Sequence, residues 1–71
     1  MQGESPLQMA ERHVRDAEAH VTRQMELIEK LHLDHHYKLE ADAETLLRVF
    51  QDTLKTYQQD LARLRAATTL G

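Results

Sequence analysis

The feature that most constrains this chain is a heptad pattern of apolar residues that occurs in two stretches of nearly equal length. A polar segment, Leu33 to Lys38, separates the two stretches. Apolar residues that recur at intervals of three and four residues form one stripe along an α-helix, and such stripes pack on each other as the a and d positions of a coiled coil. Because a short connection lets the two stripes meet, the sequence predicts an all-α fold: an antiparallel two-helix hairpin resembling a coiled coil.

The predicted seam between the helices consists of the residues at the a and d positions. In the first helix these are Leu7, Ala10, Val14, Ala17, Val21, Gln24, Ile28 and Leu31. In the second they are Ala43, Leu47, Phe50, Leu54, Tyr57, Leu61 and Leu64. The amide of Gln24 either fixes the register of the helices or lies at the edge of the pair and reaches solvent, and we favour the edge position. Small residues of the first helix, Ala10, Ala17 and Ala19, are expected to face large residues of the second.

Local signals set the expected bounds of the helices. Ser5, Pro6 and Gln8 form a helix start, with an N-cap, a proline at the first helical position and a glutamine three residues after the cap. We expect frayed residues 1–5, a first helix over about 6–33, a turn at about 34–38, a second helix over about 39–67 and a frayed end at 68–71. Since residues 34–37 contain no Gly or Pro, the alternative is one continuous helix of roughly 60 residues whose seam packs on other chains.

A single hairpin of this kind is expected to need a partner. The chain has 71 residues and no cysteine, and a core this small supplies little net stability without disulfides, a metal or association. Met25, Leu27, Leu46 and Val49 also widen the apolar stripe beyond what one partner helix covers. The sequence therefore predicts a homodimer, most simply a four-helix bundle. The seam and predicted dimer interface comprise Val14, Val21, Met25, Leu27, Ile28, Leu31, Leu46, Leu47, Val49, Phe50, Leu54, Tyr57, Leu61 and Leu64.

Composition disfavours several classes of function. The 9 basic and 12 acidic residues are interspersed rather than gathered into a basic stripe, so we expect no nucleic-acid partner. The first helix has a weak Ala/Val apolar face and a polar face of mixed charge, which disfavours binding to a membrane surface. No secretion signal or spanning segment is evident, so a cytoplasmic protein is expected. We find no nucleophile–base pattern or phosphate-binding loop, and expect neither an enzyme nor a cofactor or metal.

The histidines leave an alternative open. There are five of them: His13, His20, His32, His35 and His36. Those near the turn could bind a transition metal, and Glu29 precedes His32 at the Glu-x-x-His spacing of di-iron bundles, with Glu40 or Glu44 as partners. The segment around His20 is similar to the stretch that surrounds the phosphorylated histidine of phosphotransfer domains, without the glycine that usually follows. Exposed polar surface is the commoner explanation for each, so metal binding or histidine phosphotransfer is the second hypothesis.

The sequence also resembles a group of short, uncharacterised bacterial helical-hairpin proteins. The similarity spans about residues 10–64 and rests on residues 10–14, 23–28 and 43–47 together with Phe50, Thr53, Leu54 and Leu61. In that group the turn usually carries a Gly followed by His-Asp-Thr, whereas this chain has His35 to Lys38 and is about two residues longer there. The resemblance implies the hairpin fold and no established activity. The leading functional hypothesis is a non-enzymatic interaction or dimerisation module, a small bacterial regulatory or adaptor protein that binds itself or another helical protein.

Overall fold

The computed structural model describes residues 3–70, with the backbone alone for residues 69 and 70. Two helices, α1 (Pro6–Leu33) and α2 (Tyr37–Leu70), make up the regular structure in this range. They pack side by side, so that residues early in α1 lie beside residues late in α2, as the contact of Glu11 with Arg65 illustrates. The prediction of an all-α helical hairpin is confirmed.

A capping box begins α1 at its predicted first residue. The Ser5 hydroxyl accepts a hydrogen bond from the Gln8 N–H at 3.1 Å, and the Gln8 side-chain oxygen accepts one from the Ser5 N–H at 3.0 Å. These bonds satisfy two of the backbone donors that a helix start leaves open. Nearby, the Arg12 guanidinium donates to the Glu4 carboxylate at 2.9 Å. Residues 3–5 precede the helix and have no regular structure, as predicted, and residues 1 and 2 lie outside the described range.

The turn between the helices is shorter than predicted. The His36 N–H donates to the Leu31 carbonyl at 2.9 Å and the His35 N–H to the His32 carbonyl at 3.1 Å, which is the hydrogen-bond pattern of a Schellman motif. His35 takes the left-handed conformation that this motif requires, with φ of 62°. Because the chain reverses within residues 34–36, α2 begins at Tyr37 rather than near residue 39, and the predicted turn of 34–38 is two residues too long.

The second helix also continues further than predicted. It ends at Leu70 instead of near residue 67, so residues 68–70 are helical rather than frayed. No glycine or proline interrupts the sequence between Tyr37 and Leu70, and the Thr68 hydroxyl donates to the Leu64 carbonyl at 2.8 Å within the helix. The last residue of the predicted frayed segment, Gly71, lies outside the described range.

The interior of the hairpin is built from small side chains. The buried residues are Ala10, Ala17, Gln24, Ala43 and Leu61, and no large side chain in the described range is fully buried. Ala19 is exposed, so the expectation that it faces α2 is wrong: it lies two residues after Ala17, on another side of the helix. The Cα positions extend over 53 × 26 × 13 Å, which means that the molecule is one helix layer thick.

Gln24 is a buried member of this interior. It is 7% exposed, and its Nε2 donates to the Ala43 carbonyl oxygen of α2 at 2.8 Å. The prediction that Gln24 lies at the edge and reaches solvent is therefore wrong. The reason is that a carbonyl on the facing helix satisfies the amide inside the seam, as a buried polar group requires.

Candidate interaction surface

The two broad faces of the helix pair differ in chemistry. One, which we call the groove face, carries three shallow grooves along the line where the helices meet. Its lining includes Met9, His13, His20, Leu27, Leu39, Leu46, Val49 and Tyr57. The opposite side, which we call the charged face, has a groove lined by Met25, Ile28, Glu29, His32, Glu40, Glu44 and Leu47.

Exposed apolar side chains are concentrated on the groove face. Of the eight large apolar residues that are strongly exposed, five lie there: Met9, Leu27, Leu39, Leu46 and Val49. Leu33 and Tyr37 flank the turn, and Met25 lies on the charged face. Exposed apolar residues gathered on one side mark a surface suited to contact with another molecule.

The four residues predicted to widen the apolar stripe do not form one surface. Leu27, Leu46 and Val49 lie on the groove face, whereas Met25 lies on the other side. Met25 follows the buried Gln24 directly, so it is turned about 100° to one side, while Leu27 is turned to the opposite side. Sequence reasoning missed Met9 and Leu39 on the groove face. A usable signal was present, since Met9 precedes Leu27 by 18 residues, which is about five helical turns.

The other residues of the predicted interface lie between the two helices. Leu61 is buried, and the remainder are half-buried: Val14, Val21, Ile28, Leu31, Leu47, Phe50, Leu54, Tyr57 and Leu64. Their apolar surface is therefore used largely within the hairpin. The surface left for a partner consists mainly of the exposed groove-face residues and the rims of these seam side chains.

Two histidine rings cover aromatic side chains on the groove face. The His13 ring lies over Tyr57 with centroids 5.0 Å apart, and the His20 ring is stacked on Phe50 at 5.7 Å. Nδ1 of His20 also accepts a hydrogen bond from the Arg23 guanidinium at 3.2 Å. These rings extend the apolar surface across the seam at two levels of the pair, and each contact is favourable through ring packing.

The charged face is crossed by polar contacts between the helices. Arg65 lies 3.6 Å from the Glu11 carboxylate, and Nδ1 of His32 lies 3.1 Å from Oε1 of Glu40. Glu29 and Glu44 line the same groove as His32 and Glu40, so the hairpin does bring together the acidic residues considered as metal ligands. Within residues 3–70, however, no group of three His, Cys, Asp or Glu side chains is arranged to hold a metal ion.

The histidines at the turn contact neighbouring side chains. Nδ1 of His35 lies 2.7 Å from the Tyr37 hydroxyl. The His32 and His35 rings both approach the Tyr37 ring edge-on, with centroids 5.9 and 5.7 Å away. The turn is therefore a small cluster of exposed rings, in which Tyr37 is the shared member.

Neither helix, over the part of the chain that the structure describes, combines the length and the hydrophobicity needed to cross a bilayer.

Comparison of the chain with protein-family models, with curated proteins and with solved structures found no match.

Proposed function

We propose that this chain is a non-enzymatic self-association module and that two copies form a four-helix bundle. The observation that carries the proposal is an excess of exposed surface. The chain exposes 5651 Å², whereas a compact monomer of its mass, 8.3 kDa, exposes about 4,600 Å². The difference, roughly 1,000 Å², is close to the ~800 Å² that one partner contributes to an interface of standard size.

The thickness of the hairpin supports the same proposal. A stable domain usually has at least two layers of secondary structure around one core, and this hairpin has a single layer with a smallest dimension of 13 Å. Its buried residues are mostly alanines, each of which removes little apolar area from water. A second hairpin stacked on the first supplies the missing layer and encloses side chains that are half-buried in one copy.

A measurement of mass in solution tests this proposal. Sedimentation equilibrium of the untagged chain over a wide range of concentration should give twice the 8.3 kDa chain mass at the upper end, with helical circular dichroism at every concentration. The concentration at which half of the chains are paired gives the dissociation constant. A folded species that keeps the monomer mass at the highest concentration would contradict the proposal.

A further inference from the structure

We infer that the groove face is the dimer interface and that α1 of each copy lies over α2 of the other. This inference rests on the proposed self-association and specifies its geometry. It follows from two separate observations: the distribution of exposed apolar residues between the faces, and the charges that border the groove face.

The apolar residues select the face. Leu27, Leu39 and Leu46 surround one groove near the turn, and Met9 lies beside another at the open end of the hairpin, so exposed apolar side chains extend along most of the groove face. On the charged face, association would instead bury Glu29, Glu40 and Glu44. The groove face has carboxylates too, Asp16, Asp42 and Asp60. It carries five of the strongly exposed large apolar side chains, however, whereas the charged face carries one, Met25, so a second copy fits the groove face better.

The outer edge of α1 on the groove face is basic. Arg12 and Lys30 lie three residues after the groove-face residues Met9 and Leu27, respectively. They are 18 residues apart, about five helical turns, and therefore point in the same direction at opposite ends of the helix.

The outer edge of α2 on the same face is acidic at the same two levels. Asp42 and Asp60 line grooves of this face near the turn and near the open end, respectively. They too are 18 residues apart and hence share one direction. Each edge of the hairpin thus carries a pair of like charges, and the two edges have opposite sign.

Opposite edges determine how two copies pair. If each helix lay over its own equivalent in the partner, a two-fold axis through the middle of the face would place Lys30 beside Arg12 and Asp42 beside Asp60. If α1 lies over α2 of the partner, the two-fold axis runs along the helices, the two turns lie at the same end, and each of these charges meets one of opposite sign. Like charges that face each other are unfavourable and opposite charges select a partner arrangement, so the edges favour the crosswise pairing.

Contacts within the chain reduce two of these charges and leave the difference between the edges. Arg12 pairs with Glu4 at 2.9 Å and lies 3.6 Å from Asp16, which lines a groove of this face. On α2, Arg63 lines the groove at the open end and donates a hydrogen bond to Asp60. Arg23, seven residues before Lys30, adds a further positive charge to the edge of α1. The α1 edge is therefore the more positive of the two.

Two charge-reversal variants test the pairing. The basic-edge variant is Arg12→Glu with Lys30→Glu, and the acidic-edge variant is Asp42→Lys with Asp60→Lys. In the crosswise arrangement either variant alone places like charges opposite each other, so we expect its dimer dissociation constant to rise about tenfold or more at low salt. When the two variants are mixed, opposite charges face each other again. We expect mixed dimers with a dissociation constant close to that of the original chain, and a smaller effect of both substitutions at high salt.

A control variant separates the edge effect from net charge. Arg48→Glu with Lys55→Glu makes the same change in net charge as the basic-edge variant, but on the side of α2 away from the groove face. We expect its dimer dissociation constant to be close to that of the original chain. Sedimentation equilibrium measures the dissociation constant of each variant dimer and of the mixed dimer, and circular dichroism checks that each variant is helical. Recovery in the mixture also shows that a weak variant dimer does not result from misfolding.

Other outcomes would overturn the inference while leaving the proposed dimer intact. If each helix lies over its own equivalent, both edge variants pair as well as the original chain and their mixture pairs more tightly. If the charged face is the interface, the control variant is weakened and the edge variants are not. A monomeric original chain is a different result, which contradicts the proposed self-association itself.

Discussion

At the scale of single residues, Gln24 has the most specific role, because its side chain donates to a backbone carbonyl of the opposite helix. The bond to Ala43 exists at one register of the two helices: sliding either helix by one residue would leave a buried amide without a partner. An unsatisfied buried donor costs about 1–3 kcal/mol. The other seam residues are apolar and could pack in more than one register. The amide of Gln24 therefore disfavours every register except the observed one.

Substituting Gln24 separates hydrogen bonding from packing. Gln24→Glu places a carboxylate against the Ala43 carbonyl, so two acceptors face each other, and we expect a loss of about 2–3 kcal/mol in the free energy of unfolding at neutral pH. Gln24→Met keeps the volume and leaves no polar atom unpaired, so we expect a loss below about 1 kcal/mol. Urea denaturation at a fixed chain concentration measures both. Gln51→Glu, at an exposed position of α2, is the control with little effect, and equal losses for the first two variants would contradict this role.

The role of Gln24 shows where sequence reasoning ends. The heptad position predicted that the residue is near the seam, but the choice between a buried amide and an edge amide depends on whether a carbonyl lies opposite. That is set by the register of α2, which the sequence of α1 does not contain. The same limit applies to Met25 and Leu27, since both are recognisable as flanking residues although only the rotation of α1 in the pair decides which face each one joins.

At the scale of helices and turn, the sequence predicted the start of α1 well because the cap is local. Ser5, Pro6 and Gln8 interact with one another within one helical turn, so their meaning does not depend on the rest of the fold. The turn was harder to predict. A histidine in the left-handed conformation has no sequence signature, since Gly is the residue usually found at that position of a Schellman motif.

The strain at His35 gives a prediction for the turn. His35→Gly removes the side chain that disfavours a φ of 62°. Its hydrogen bond with the Tyr37 hydroxyl is also lost, but that bond is exposed to solvent, so we expect the strain to dominate and the free energy of unfolding to rise by about 0.5–1 kcal/mol. His36→Gly is the matched control: the structure gives His36 no positive φ, so added backbone freedom in the unfolded chain should lower stability by a similar amount. Thermal denaturation at equal chain concentration compares them. The interpretation of the turn would be wrong if both glycines shifted stability in the same direction.

At the scale of the whole molecule, the single layer couples stability to association. Any process that pairs folded chains and not unfolded ones makes the thermal midpoint depend on concentration. Raising the chain concentration a hundredfold should increase the midpoint by about 5–10 °C if the dimer is the main folded species. Scanning calorimetry measures the shift, and a midpoint independent of concentration would contradict it.

Groove-face substitutions should remove that dependence. Leu46→Glu with Val49→Glu places charges on two side chains that are 44% and 53% exposed in a single hairpin, so the seam between the helices is preserved while a covering partner is repelled. We expect the thermal unfolding midpoint of this variant to be lower than that of the original chain and nearly independent of chain concentration. Gln51→Glu, which follows Glu44 by seven residues on the charged side of α2, should leave the concentration dependence unchanged.

The short turn also determines the order in which the helices can come together. His32 meets Glu40 across a separation of eight residues, whereas joining Glu11 to Arg65 closes a loop of most of the chain. The entropy lost on closing a loop grows with its length, so pairing that starts at the tip and advances toward the two ends is the least costly route. Folding of this kind begins with contacts between residues that are close in sequence, and such folding is fast. Destabilising substitutions near the turn would slow folding, and destabilising substitutions near the chain ends would mainly speed unfolding.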